Sequence, residues 1–224
     1  MTAIRDAATI IVLRDNAVLM GQRGATAAFM PNKFVFPGGA VDTVDATVPI
    51  SPLHDRIASQ LAAESALAPT TLAAAAIREL WEETGQCLGH PAPWPDPPQG
   101  WRGFAASGHI PHAAALSFFF RAVTPQGRPR RFDARFFLAA ADDLTTDPDD
   151  FSRAEDELRH LQWIPVRDAR NFDLPFITQV VLGELASYLA NPGPLTEIPF
   201  FRNDDEAHLV SRLNGRHPLS TSSG

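Results

Sequence analysis

A single cysteine, Cys87, stands in 224 residues, which excludes an internal disulfide framework. No run of eighteen or more apolar residues occurs, which excludes an ordinary membrane-spanning helix. The N-terminal stretch lacks a basic segment followed by an apolar core and a small-residue cleavage site. It reads instead as a strand, so the expected location is cytoplasmic and no membrane partner is expected. Excess positive charge is missing too: 19 Lys and Arg face 26 Asp and Glu, a net charge of −7. That balance argues against a nucleic acid as partner. It does not argue against a phosphate ester held through a metal, because the cation screens the local charge. What the chain does have is 45% hydrophobic content, enough for a sizeable core. The expectation is one domain over residues 1–213, followed by a small-residue polar tail, 214–224, that frays.

Strand and helix signals are interleaved, without internal repeats, which predicts an α/β fold. Ala7 to Leu13 is a β-rich apolar run closed by the turn signal Asp15-Asn16, and Ala17 to Gln22 resumes as its hairpin partner. Phe34 to Phe36 reads as a third strand leading into Pro37-Gly38-Gly39, where two glycines permit close backbone approach. Leu53, Ile57, Leu61 and Leu67 predict a helix within Pro52 to Leu67. Pro69-Thr70-Thr71 starts another, over Leu72 to Thr84, stopped by Gly85. Its Ala73 to Ala76 would allow close packing on the glycine loop. Gly89 to Gly100, with five prolines, reads as a loop rather than a strand or helix. Ala115 to Val123 and Phe132 to Ala139 read as strands, Ala141 to Asp150 as a solvent loop, His160 to Val166 as a strand, and Leu174 to Leu189 as a long helix.

The chemistry concentrates in Arg78-Glu79-Leu80-Trp81-Glu82-Glu83-Thr84-Gly85. At about 3.6 residues per turn, Glu79, Glu82 and Glu83 share one arc of a helix. Neighbouring like charges repel, so the arrangement suggests a cation between them. Hard carboxylate oxygens select Mg²⁺ or Mn²⁺. The bland alternative is a solvated acidic face with an Arg78 to Glu82 pair.

Together with Phe36-Pro37-Gly38-Gly39 upstream, this stretch resembles a Nudix box, G-x5-E-x7-R-E-U-x-E-E-x-G-U, U being bulky and apolar. Gln86 occupies the final apolar slot. The first half fits only when started from Gly39, which puts Asp45 where the family has Glu, and leaves 32 residues from Ala46 to Ile77 instead of seven. The box is therefore split by an insertion at about 46–70. Split boxes resemble the coenzyme A diphosphatase branch of peroxisomal type and its bacterial relatives. Arg5-Asp6-Ala7-Ala8, Phe29-Met30-Pro31 and Arg131-Phe132-Asp133-Ala134-Arg135-Phe136-Phe137 agree with it, so the resemblance covers roughly residues 5 to 190.

The resemblance implies a mixed β-sheet sandwiched between helices, with an extra helical insertion inside the box. It implies a metal-dependent hydrolase that opens a nucleoside diphosphate linked to another moiety, coenzyme A or acyl-coenzyme A in this branch. The metal ligands it implies are Glu79, Glu83 and the backbone carbonyl of Gly39, with Glu82 a ligand or a proton acceptor for water. Arg78 is implied to orient a glutamate, with Glu82 within reach. Many relatives recruit a further acid from a later loop; Glu155 and Glu157 are best placed for it. Arg23 and Arg131 could each grip a substrate phosphate with a planar fork, or form a surface ion pair. Leu19-Met20-Gly21-Gln22-Arg23 resembles the start of a separate coenzyme A motif, but Ala28 and Asn32 replace its second arginine and its glycine. ADP-ribose and NADH stay open as substrates, as does a catalytically silent sensor. His109 and His112 flank a loop proline without metal-ligand spacing and read as ordinary loop residues. Cys87 reads as a small buried side chain.

Overall fold

The computed structural model describes residues 3–27, 30–202 and the backbone of 210–212. Ala28 and Phe29, and the tail expected over 214–224, lie outside the described residues. The longest strand, β1 (Ile4–Arg14), is the hub of the sheet. One edge of β1 pairs in parallel with β8 (Arg131–Ala140) along almost its whole length. The other edge is shared, antiparallel, between β4 (Gly38–Ala40) and β2 (Ala17–Arg23). Beyond β8 lie β7 (Ser117–Val123), β10 (Pro199–Phe201) and β11 (Val210–Arg212). Beyond β2 lie the two-residue β3 (Phe34–Val35) and, along its other edge, β9 (Leu158–Pro165).

Alternation along β1 sorts the core into two faces. Ala8, Ile10 and Val12 point into a cluster with the helices α1 (Asp55–Ala62), α2 (Pro69–Thr84) and α3 (Arg102–Ala106). Ile11 points the other way, into a cluster closed by α4 (Phe176–Ala190). The result is a mixed sheet between helices. Ala73, Ala74, Ala75 and Ala76 are fully buried, so their small side chains bring α2 down onto β1 and β4. Among the described residues no helix is long and apolar enough to cross a membrane.

The sequence reading needs correction in several places. The insertion helix is shorter than Pro52–Leu67, because Ala63 turns extended and Glu64 takes a left-handed φ of 53°. The carbonyls this exposes at Ala63 and Glu64 accept from Nη1 and Nη2 of Arg121, a buried residue whose guanidinium also pairs with Asp133 at 2.6 Å. Arg135 extends the network to Asp6, Asp133 and Ser65. Thus the insertion's far end is tied to the sheet by buried charge. Gly89–Gly100 is not loop throughout: β5 (Gly89–Pro91) pairs with β6 (His109–Pro111). The pairing ends at Pro91, among prolines that cannot donate to a ladder. The acid-rich Ala141–Asp150 is only partly a solvent loop, since buried Gln86 donates from Nε2 to the carbonyls of Asp147 and Asp150 and accepts from Thr146. A polar residue in the apolar slot is thereby satisfied.

Candidate active site

Two segments meet to build the site. Proline at N1 opens α2, and Gly85 closes it with φ 73°, its amide donating to the Trp81 carbonyl at 2.8 Å. Beneath its last two turns runs β4, held on β1 by the pairs Ala8–Gly39 and Thr9–Gly38. A methyl group on Gly39 would stand 2.5 Å from Oε2 of Glu79, so the carboxylate rests directly on the glycine backbone. The Gly38 amide donates to Oε2 of Glu83 at 2.7 Å. Glycine at these positions is a requirement of contact.

Arg78 organises the carboxylates. Its Nε and Nη2 donate to the two oxygens of Asp45 at 2.9 and 3.0 Å, and Nη2 also donates to the Ala40 carbonyl at 3.0 Å. Nη1 reaches Oε1 of Glu79 at 2.8 Å and Oε2 of Glu82 at 2.9 Å. The five guanidinium donors are therefore all engaged inside the protein. Asp45 is 2% exposed and accepts from the Asp42 amide as well, so the mouth of the insertion is fastened to the signature helix.

The charges do not balance. Glu79, Glu82 and Asp45 share Arg78, and Glu83 lies beside them under the charge of Arg23, so four carboxyls meet two cations. Burial pushes the Glu79 carboxyl up to about 7, against the opposing pull of Arg78. Burial likewise raises Glu82, where Arg78 again opposes it and Glu155 adds repulsion. Glu83 is raised well above the ordinary carboxyl range, first by burial and then by the charge of Glu79. Its Oε1 is buried and has no hydrogen-bond partner among the described residues. An orphaned buried carboxylate oxygen is costly. Free oxygens on Glu79, Glu82 and Glu83 suit a hard divalent cation in their chemistry. Among the described residues, however, no three His, Cys, Asp or Glu side chains are already gathered into a metal cage. One oxygen of each glutamate is held by Arg78 or by Gly38.

Two later acids are brought alongside. The Glu155 amide donates to the Glu82 carbonyl at 2.9 Å, and Arg153 and Ala154 pack against Gly85, which docks this loop on the end of α2. Oε1 of Glu157 accepts from Nη2 of Arg23 at 2.8 Å, and the charge of Glu157 is felt at both Glu79 and Glu83. Arg131 stands apart. It pairs with Ile4, four positions along β1 from Ala8 and so about 13 Å from it; its Nε donates to the Thr124 carbonyl. His109 and His112 bond Ser107 and Ser51, away from the carboxylates, and Cys87 is buried. One neighbour had no sequence signal. The Pro-rich loop returns over α2, so that a methyl on Gly100 would lie 3.9 Å from Oε1 of Glu82. Edge-to-face and tilted ring contacts among Trp94, Trp101, Phe104 and Trp81 anchor that loop.

A carboxylate-bearing helix set over a glycine strand, in a mixed sheet between helices, defines a recognisable class of fold and site. Comparison with known proteins places it. The NUDIX domain family matches residues 3–181, and the chain belongs to that family. A Caenorhabditis elegans protein named as nudix hydrolase 7 is 31% identical over 161 residues, 62% of this chain and 45% of that protein. The chain thus spans about half the length of the curated relative it matches. The crystal structure of a NUDIX hydrolase from Alicyclobacillus acidocaldarius superposes with a TM-score of 0.63 at 28% identity, covering 87% of this chain and 100% of that one. Hydrolases of this family act on pyrophosphate bonds and generally use divalent metal ions.

Proposed function

We propose that the chain is a metal-dependent diphosphate hydrolase, acting within one domain over residues 1–213 and located in the cytoplasm. Its substrate is a nucleoside diphosphate linked to a second moiety, with coenzyme A or acyl-coenzyme A favoured by the split box. The observation that carries this reading is the unpartnered, buried Oε1 of Glu83, next to a Glu79 carboxylate seated on Gly39.

A diphosphate is slow to hydrolyse because its anionic oxygens repel nucleophiles. Bound Mg²⁺ or Mn²⁺ would neutralise that charge and acidify a water. Glu79, Glu83 and the Gly39 carbonyl would hold it, with Glu82 as a further ligand or the acceptor of the water's proton. Arg78 keeps Glu79 and Glu82 in place and has no donor left for substrate. Arg23, beside the carboxylates, is the cation suited to a substrate phosphate, whereas Arg131 is placed for a structural bond. Glu155 and Glu157 are the acids available for a second proton-transfer or ligand role.

The test is Mg²⁺-dependent hydrolysis of coenzyme A, acetyl-coenzyme A, ADP-ribose, NADH and nucleoside triphosphates, with products separated by chromatography. Release of 3',5'-ADP from the coenzyme A compounds, abolished in Glu83→Gln, is the expected result. Cleavage of ADP-ribose or NADH alone would move the substrate assignment. Silence across the panel with Mn²⁺ binding retained by calorimetry would favour a sensor.

A further inference from the structure

Arg23 closes β2 opposite Leu158, next to Glu157 on the incoming loop. The pairing of β2 with β9 slips here: Met20 faces Gln162 while Gln22 faces Arg159, so two residues of β9 oppose Gly21. His160 absorbs the slip with a left-handed φ of 52°, and a methyl at Gly21 would stand 2.9 Å from both Leu158 and Leu161. Such bulges re-aim the side chains beside them, and this one aims Glu157 at Arg23. The pair is asymmetric, with side-chain exposures of 17% for Arg23 and 55% for Glu157. Nη2 of Arg23 holds Glu157, yet its Nε is buried and unpartnered among the described residues. A guanidinium that meets its carboxylate through one nitrogen only, rather than through a bidentate fork, is loosely committed to it and open to exchange for another anion. The positive charge is also felt at Glu83, so Arg23 stands close to the carboxylate site.

We infer that the Arg23–Glu157 pair is a substrate-exchanged latch: a diphosphate oxygen takes the Arg23 guanidinium, and Glu157 is displaced from it. This rests on the diphosphate hydrolase reading and adds to it a competition between an internal carboxylate and the substrate for one arginine. Arrival of the anion is thereby coupled to release of a carboxylate whose charge already reaches Glu79 and Glu83. Glu157 is in this account a positioning residue, and Arg23 the one that touches substrate.

A competitor betrays itself because deleting it strengthens binding. The probe is α,β-methylene-ADP with Mg²⁺, whose bridge is not hydrolysed, measured by calorimetry on the full chain. Glu157→Gln should tighten its Kd about three- to fivefold, the scale of a partly exposed ion pair. Asp156→Asn removes the same charge one residue away and should leave Kd within about twofold. In an Arg23→Gln background, itself weaker in binding, adding Glu157→Gln should bring no further tightening. Weaker or unchanged binding in Glu157→Gln overturns the latch, as does equal tightening in Asp156→Asn or tightening that persists without Arg23. A parent protein that neither binds the probe nor cleaves any diphosphate refutes the hydrolase reading, and the latch with it. Binding and turnover in the parent separate that failure from failure of the latch alone.

Discussion

Replacing Gly39 with alanine probes the site at its tightest contact. The added methyl would meet Oε2 of Glu79 at 2.5 Å and its Cδ and Oε1 at 2.6 Å, where ordinary contact begins near 3.4 Å. Something must move by about 0.9 Å. The backbone of β4 cannot, because it is paired with β1 and Gly38 is bonded to Glu83. The Glu79 carboxylate must therefore shift, against Nη1 of Arg78 and the Asp45 and Ala40 contacts that anchor it. A displacement of about 1 Å in a positioning group costs on the order of a hundredfold in rate, about 2.7 kcal/mol of barrier. Overpacking should also lower stability by roughly 1–3 kcal/mol. The assay is turnover of the substrate found in the hydrolysis panel, alongside Mn²⁺ affinity by calorimetry and urea unfolding. Gly183→Ala is the control, since nothing lies within 4 Å of its added methyl in α4. It should keep activity and gain up to about 1 kcal/mol. Shortening the ligand should relieve the clash: Gly39→Ala with Glu79→Asp should be more active than the two single losses combined would allow. Full turnover and unchanged Mn²⁺ affinity in Gly39→Ala would refute the idea that Glu79, held on Gly39, is a ligand.

The raised carboxyls give the metal-free protein a pH signature. Folded Glu79 keeps its proton up to about 7 while the unfolded chain loses it near 4.5, so that stability is whole below pH 4.5 and lost as pH rises through 7. Unfolding free energy without metal should fall by roughly 3 kcal/mol across that interval, and Glu82 and Glu83 act with the same sign. Mg²⁺ should accordingly raise Tm more at pH 8 than at pH 5; a metal-free stability that climbs with pH would contradict this. Asp45→Asn should destabilise by about 3–5 kcal/mol, because it leaves the buried Arg78 guanidinium short of its bidentate partner. Chemical denaturation reads that loss, and a cost under about 1 kcal/mol would mean the pair is dispensable. Gln86→Leu restores the family's apolar residue and should nonetheless cost about 1–3 kcal/mol, since the Asp147 and Asp150 carbonyls lose their donor. Equal or higher stability by the same measurement would show that those bonds contribute nothing.

The parts of the fold legible in sequence are those set by local pattern. The β-rich apolar run Ala7 to Leu13 and the Asp15-Asn16 turn announced the β1–β2 hairpin, and Pro69 and Gly85 bracketed α2. Where the reading slipped, a distant partner decided. The insertion helix ends where Glu64 turns left-handed and Arg121, far along the chain, takes the freed carbonyls. The β5–β6 ladder is stabilised by pairing across the Pro-rich loop, which no property of Gly89-His90-Pro91 signals by itself. The flanks around Asp6 and Asp133 to Arg135 looked like separate motifs, yet they lie side by side in the parallel β1–β8 pair and share buried ion pairs.

The same division runs through the site. Glu79, Glu82 and Glu83 needed only the helical repeat, and Gly39 and Asp45 only the count of a split box. What Arg78 does with five donors was not in its spacing, because the i,i+4 pair with Glu82 uses only one of its bonds; Asp45, 33 positions away in the chain, takes two. Glu155 and Glu157 stand out in the sequence only as acids of a later loop, and it is a backbone bond to Glu82 and a bulge at Gly21 that set this loop beside α2. The helix can be read as a carboxylate cluster from sequence alone, but its surroundings are assembled from distant segments: Gly100 comes to Glu82, and Arg23 meets Glu157 beside the β2–β9 pairing. Substrate choice is therefore the part least legible in the sequence, and swapping the Pro-rich loop around Gly100, which approaches Glu82, should change substrate preference while sparing Glu79, Glu83 and Gly39, the proposed metal ligands.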